Sequence, residues 1–215
     1  MAKRRLTHPE RRRQILENAA RLFALHGLDG TSMRDVARAS NVNEALLYRH
    51  FENKQDLFRE VIIGVQNEID SSWRKIADDA PDGLSALRAV IVALLFGPIE
   101  NLHVYSYLVH GMAVSTRDKG VRELVESGFA QLHSFFEGLL RRGISDGSIK
   151  HAADPRSCAW CILSRGLVCS IVSGVMPENC LLPPKEEYIP DMLLQCIKTG
   201  CSPQGITFPF GKTGG

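Results

Sequence analysis

Residues 31–50 read TSMRDVARASNVNEALLYRH, and this stretch decides the fold. Ser32 is followed three residues later by Asp35, which is a variant of the capping box that begins helices. Asn43 is a second N-cap residue, so the stretch predicts two short helices. Asn41 lies between them and suits a left-handed turn position, because asparagine adopts that conformation more readily than most residues other than glycine. We therefore expect two helices joined by a tight turn.

Two short helices with such a hinge have the spacing of a helix-turn-helix, in which the second helix enters the major groove of DNA. The small side chain of Ala37 suits a point where the two helices cross closely. Apolar contacts from Val36, Val42 and Leu47 would hold the helices at a fixed angle. The spacing of these residues predicts a DNA-reading unit near the N-terminus.

Helical patterns continue on both sides of this unit. Upstream, apolar residues recur with a helical period from Pro9 to His26, and Gly27 suits a left-handed C-cap. Downstream, Asn53 caps a long fourth helix that reaches about Ala77. Further helices are expected near residues 84–97, 99–116, 119–145 and 155–175, and a last one ends near 199. No alternating strand pattern of useful length is present, so the sequence predicts an all-α fold.

Charge and composition narrow the function classes. The 215-residue chain carries a net charge of +2, and 44% of its residues are hydrophobic, which is enough for a sizeable core. Residues 1–54 carry eleven Lys and Arg against six Asp and Glu, which suits a polyanionic partner. The longest uncharged apolar run is well short of the roughly 20 residues that a membrane span needs. We therefore expect a cytoplasmic protein with no membrane partner.

Several segments resemble the TetR family of transcriptional regulators. Three segments are similar to the family signature: GTSMRDVA (30–37), LYRHF (47–51) and NKQDL (53–57). The family's first helix is similar to ILENAARLF (15–23) and the following His26-Gly27. The similarity covers about residues 10–60. The chain departs from the family pattern in and beside the reading helix, at Asn41, Asn43, Glu44, Ala45 and Leu46. These departures bear on the operator sequence and not on the class.

The resemblance implies an N-terminal three-helix helix-turn-helix DNA-binding domain and a C-terminal helical bundle for dimerisation and ligand binding. We place the first domain at residues 1–54, continuing into the fourth helix to about 79. The second domain is expected at 55–201, and residues 202–215 are expected to be a disordered tail.

Roles in DNA binding follow from side-chain chemistry together with family position. Phosphate contacts are expected at two helix N-termini, from Ser32 and Lys54. Tyr48 and His50 resemble family residues that bond the DNA backbone. The expected DNA-binding set is completed by Asn43 and by the candidates for base edges, which are Arg34, Glu44, Ala45 and Arg49. For Glu44 and Arg49, a solvated helix surface is an equally good interpretation. Basic clusters at residues 3–5 and 11–13 would add salt-sensitive attraction. For the N-terminal arm, a disordered and dispensable segment is an equally good interpretation.

The helix expected at 155–175 is apolar nearly all round, with Arg165 as its one charge, so it must be covered on every side. The resemblance implies that this helix and the last one form a dimer interface, and the alternative is the core helix of a monomer. The family also implies a small-molecule pocket in the C-terminal bundle. The candidate lining residues, which could instead belong to the core, are Phe96, His103, Tyr107, His110, Met112, Phe136 and Trp160.

Metal, cofactor and catalytic sites are not expected. Cys158 and Cys161 have the spacing of a zinc or redox pair, but no second ligand pair matches them, and their apolar surroundings raise a thiol pKa. No nucleophile and base stand at a recognisable spacing, so we do not expect an enzyme.

The sequence therefore predicts a repressor that binds a palindromic operator in double-stranded DNA as a homodimer and is released by a small, largely apolar effector. The alternative is an interaction protein of the nucleoid-occlusion type, which keeps the DNA-binding fold but acts on a protein target instead of on promoters.

Overall fold

A computed structural model of the chain describes residues 7–96, 113–114, 116–149 and 154–175. Its helices are α1 (His8–His26), α2 (Met33–Ala39), α3 (Glu44–His50), α4 (Lys54–Asp78), α5 (Gly83–Phe96), α6 (Lys119–Ser145) and α7 (Pro155–Val175). The residues described contain no strand, and the predicted all-α fold is confirmed. Three predicted segments lie outside the described residues: the last helix, the tail, and most of the helix expected at 99–116.

Helix ends are fixed by side-chain caps at the predicted positions. The side chains of Ser32, Asn43 and Asn53 each accept a hydrogen bond from the backbone N–H three residues on. Gly27 ends α1 with a positive φ of 68°, as its sequence position predicts. The sequence did not point to Thr7, which caps α1 and forms a reciprocal capping box with Glu10. These caps satisfy backbone groups that a helix end otherwise leaves without partners.

Two clusters of buried side chains make up the core. The first cluster holds α1, α2 and α3 against the first part of α4, and it also contains Val121 and Val125 from α6. The second cluster joins the end of α4, from Trp73 onward, to α5, α6 and α7. Both α4 and α6 therefore contribute to both cores, and a movement of one cluster must be accommodated by these two helices. The predicted domain boundary at residue 54 stays a prediction.

The junction between α4 and α6 is also held by polar contacts. The Arg59 guanidinium donates to both carboxylate oxygens of Asp118, at 3.1 and 2.9 Å. Asp118 in turn caps α6, and the hydrogen bond from the Val121 N–H, followed by the contact with Arg59, lowers the pKa of its carboxyl. About two turns further along α4, Gln66 Nε2 donates to the Leu124 carbonyl at 3.1 Å.

Candidate nucleic-acid interface

The turn between α2 and α3 has the geometry that the sequence predicts. Asn41 has a φ of 52°, the one positive φ among the non-glycine residues described. The Val42 N–H donates to the Ala37 carbonyl at 3.0 Å, which closes the turn. Val36, Ala37 and Leu47 are buried in the first core, so both helices are anchored to it. This packing fixes the direction in which α3 projects.

The candidate DNA-binding residues are mostly exposed. Those with exposed side chains are Ser32, Arg34, Asn43, Glu44, Ala45, Tyr48 and Arg49, whereas His50 and Lys54 are partly buried. Tyr48 is the largest exposed side chain of α3, with 53% of its surface accessible. Leu47 is the buried residue of α3 and anchors the helix in the core. The exposed residues form a largely polar surface on the other sides of the helix. Arg38, which the sequence analysis did not select, is a further exposed cation on α2 and lies 3.9 Å from Asp35.

Ser32 is engaged within its own helix. Its hydroxyl donates to the Asp35 carboxylate, and its backbone N–H does the same at 3.2 Å. The hydrogen bonds from Ser32, with the side-chain bond the largest cause, lower the pKa of the Asp35 carboxyl. A phosphate contact from the Ser32 hydroxyl would therefore need the hydroxyl to exchange Asp35 for the phosphate.

Lys54 is also engaged by the protein. Its ammonium donates to the carbonyls of Leu28 and Thr31, at 2.7 and 3.0 Å, and so ties α4 to the loop between α1 and α2. An ammonium has three protons, so one remains for a phosphate. The predicted phosphate contact stays a prediction, and the structure adds a role in holding the loop.

His50 lies in a cluster of side chains that no local sequence pattern indicates. Its ring centroid is 4.4 Å from that of His8, at the start of α1. Burial, and then the nearby His8 and Arg12, lower the pKa of His50. The Arg12 guanidinium lies over the Phe51 ring and also pairs with Glu60 of α4 at 2.8 Å. The sequence could not indicate this cluster, because 42 residues separate the two histidines.

The basic cluster at residues 11–13 is paired with neighbouring side chains. Arg11 donates to Gln14, and Arg13 forms an i, i+4 pair with Glu17 at 3.1 Å. With Arg12 held by Glu60, these charges are partly neutralised within the protein. Two of the three charges thus have carboxylate partners within the protein, and the attraction of this cluster for DNA stays a prediction.

Two of the candidate ligand-lining residues have described side chains. Phe136 is fully buried in the second core, 5.6 Å from the Trp73 ring. Trp160 is 52% exposed on α7 and stacks on His133 at 4.9 Å. The role of both side chains in lining a ligand pocket stays a prediction. The side chains of the other five candidates are not described. Four of them lie outside the described residues, namely His103, Tyr107, His110 and Met112, and the side chain of Phe96 does so too.

A narrow apolar cavity lies between α4 and α6, where the sequence analysis placed no ligand residue. Its apolar lining includes Ile62, Val65, Ile69, Trp73, Val125, Leu132 and Phe135, and its polar lining is Gln66, Asp70 and Gln131. The cavity volume is about 30 Å³, roughly the share of one water molecule in the liquid.

Other kinds of site find no support in the part of the chain described. Cys158 is buried and Cys161 is exposed. No three His, Cys, Asp or Glu side chains among the described residues are grouped as metal ligands would be. None of the described helices is long and apolar enough to cross a bilayer.

Comparison with known proteins agrees with this geometry. Residues 15–61 match the family described as "Bacterial regulatory proteins, tetR family". The HTH-type transcriptional repressor KstR2 of Rhodococcus jostii (strain RHA1) is 30% identical over 148 residues, which cover 67% of this chain and 70% of that protein.

Two solved structures show that the likeness extends to the fold. A putative transcriptional regulator from Saccharomonospora viridis, solved with choline, aligns with a TM-score of 0.76 at 19% identity and covers 90% of this chain and 98% of its own. The ketosteroid transcriptional regulator KstR2 of Mycobacterium tuberculosis aligns with a TM-score of 0.61 at 21% identity, over 89% and 96% of the two chains. The helix-turn-helix is anchored in the core, residues 15–61 match the family signature, and a repressor is related to this chain over about two thirds of both lengths. This chain therefore belongs to the TetR family of bacterial transcriptional regulators.

Proposed function

We propose that this protein is a ligand-responsive repressor that binds a palindromic operator as a homodimer and leaves it when a small, largely apolar effector binds. The observation that carries the proposal is the α2–α3 unit, whose capped helices are anchored in the core while their polar residues face solvent. A rigid helix with exposed polar side chains can meet base edges without a further ordering cost.

The chemistry of the exposed residues fits the readout of a duplex. The Arg34 and Arg49 guanidinium groups can each donate two hydrogen bonds to a guanine, and Glu44 can accept one from a cytosine. The methyl group of Ala45 can contact a thymine methyl group. Tyr48 and His50 lie beside them and suit the phosphates that flank the groove.

Dimerisation is supported by the outer surface of α7. Trp160 and Val168 are each 52% exposed, and the side chain of Cys161 is exposed beside them. These residues are spaced so that they share one side of the helix, and large apolar side chains in water favour burial against a partner. A second copy of the chain would cover this side and present two reading helices to two half-sites.

The effector step is supported by the cavity between α4 and α6. Because the cavity is narrow, an effector that enters it must push α4 away from α6. The Arg59–Asp118 and Gln66–Leu124 contacts would transmit this displacement toward the first core. A 100-fold loss of DNA affinity needs about 2.7 kcal/mol of differential binding, which is within the usual range of coupling between sites.

Selection of duplex DNA from a random pool tests this function. We expect the full chain to enrich a sequence with two-fold symmetry and to bind it more weakly as salt increases. Arg34→Ala and Arg49→Ala should each weaken binding to the selected duplex by about tenfold or more. Arg141→Ala is the matched control, since Arg141 pairs with Glu137 on α6, away from the proposed interface, and should leave binding unchanged. No enrichment of any duplex would overturn the proposal.

A further inference from the structure

Two histidines meet at the end of α3, and the proposed DNA-binding role accounts for only one of them, His50. His50 is the last residue of α3 and follows the exposed Tyr48 and Arg49. His8 is the first residue of α1, and its exposed ring stacks on His50 with a centroid distance of 4.4 Å and an angle of 39° between the planes. Two titratable rings are thus in contact at the edge of the surface that would face DNA.

We propose that His8 and His50 together bind one DNA phosphate and share one proton in the bound state, so that the chain takes up a proton when it binds DNA. This inference rests on the proposed function. It assigns to His8 a role that neither the helix-turn-helix motif nor the family likeness indicates.

The contacts around His50 disfavour its charged form before DNA arrives. Partial burial of His50, and then the proximity of His8 and Arg12, lower its pKa from the ordinary value of 6.5. Arg12 comes from α1, as His8 does, and its charge is partly offset by Glu60 of α4. Among the described residues neither imidazole forms an ion pair with a carboxylate, which leaves a phosphate free to act as the anionic partner.

A phosphate supplies that missing partner. It favours the charged form of a nearby imidazole, so the pKa of the pair rises on binding. Two imidazolium rings in contact would repel each other, which limits the uptake to about one proton. Because the complex would hold the proton more tightly than the free chain does, DNA affinity must increase as pH falls. The increase is largest between the lowered pKa of the free chain and the raised pKa of the complex.

The test measures binding of the full chain to the duplex selected from the random pool, at constant ionic strength, between about pH 8 and about pH 6. Each unit of pKa difference changes affinity tenfold, so we expect wild-type affinity to rise by about tenfold over this range. His8→Gln and His50→Gln should each reduce the rise to about threefold or less, because Gln keeps a polar side chain but cannot titrate. His26→Gln is the matched control, since His26 is exposed at the other end of α1.

Calorimetry in two buffers with different ionisation enthalpies counts the protons directly. We expect uptake of about half a proton to one proton per chain near neutral pH, and a clear reduction in both variants. Circular dichroism at each pH shows whether the variants stay folded. The inference is overturned if His8→Gln keeps the wild-type pH dependence and proton uptake, or if His26→Gln loses them. Absence of DNA binding at every pH would instead overturn the proposed function.

Discussion

At the scale of single residues, Lys54 shows how one side chain can have a structural role within a DNA-binding motif. Sequence position predicts a phosphate contact, whereas the ammonium is held by two backbone carbonyls of the loop that joins α1 to α2. Thr31, which provides one of these carbonyls, is buried, so water cannot readily replace the ammonium there. The loop conformation, and with it the start of α2, depends on this contact.

Replacing Lys54 by Met is therefore expected to lower the free energy of unfolding by about 1–2 kcal/mol, in addition to any loss of DNA affinity. Lys119→Met is the matched control, because Lys119 is 88% exposed and only pairs with Glu123 at 3.6 Å. Urea unfolding of both variants measures the difference. Unchanged stability in Lys54→Met would show that the two carbonyls do not need the ammonium.

Asn41 is the residue on which the angle between α2 and α3 depends. Its positive φ of 52° is costly for most side chains and most of all for β-branched ones. We expect Asn41→Val to destabilise the fold by about 1–2 kcal/mol and to weaken DNA binding, whereas Asn41→Gly should keep both. Thermal unfolding and DNA titration measure these effects. Equal stability of the Val and Gly variants would contradict the assigned turn geometry.

At the scale of helices, the sequence predicts the ends well because the caps are local. Ser32, Asn43 and Asn53 precede helical patterns, and each caps the helix that its position predicts. The bounds expected for the sixth and seventh described helices, 119–145 and 155–175, also agree with the structure. Thr7 was missed because Pro9 already offered a plausible start.

Contacts between distant helices have no such local signal. Val121 and Val125 complete the N-terminal core from α6, and a pattern of apolar residues along one helix cannot show which core it joins. The stacking of His8 on His50 and the ion pair of Arg59 with Asp118 likewise depend on how helices meet in three dimensions. The cavity between α4 and α6 could not be located from sequence for the same reason.

The close approach of α5 to α6 gives a test at this scale. A Cβ atom on Gly83 would lie 2.2 Å from the backbone nitrogen of Gly143, so Gly83→Ala must push the two helices apart. We expect it to destabilise the protein by about 2 kcal/mol or more. Gly138→Ala is the control, because a Cβ there meets nothing within 4 Å, and it should stabilise α6 by about 0.5–1 kcal/mol. Chemical unfolding that ranks the two variants in the opposite order would refute this packing.

At the scale of the whole molecule, the account requires two copies of the chain on one operator. Val168 is expected to lie in the interface between them, where a charge would be buried without a partner. We expect Val168→Asp to give a folded monomer that binds the selected duplex at least about tenfold more weakly. Ile144→Asp serves as the control, since Ile144 is similarly exposed at the end of α6. Light scattering that finds the same mass for Val168→Asp and wild type would contradict the assigned interface.

We propose that the exposed side of α3 reads base edges, and repeating the selection from a random pool with Arg49→Ala tests this. We expect this variant to lose its preference at one base-pair position in each half-site and to keep the preference at the other positions. An unchanged preference at every position would contradict the claim, because α3 would then not be reading the sequence through Arg49.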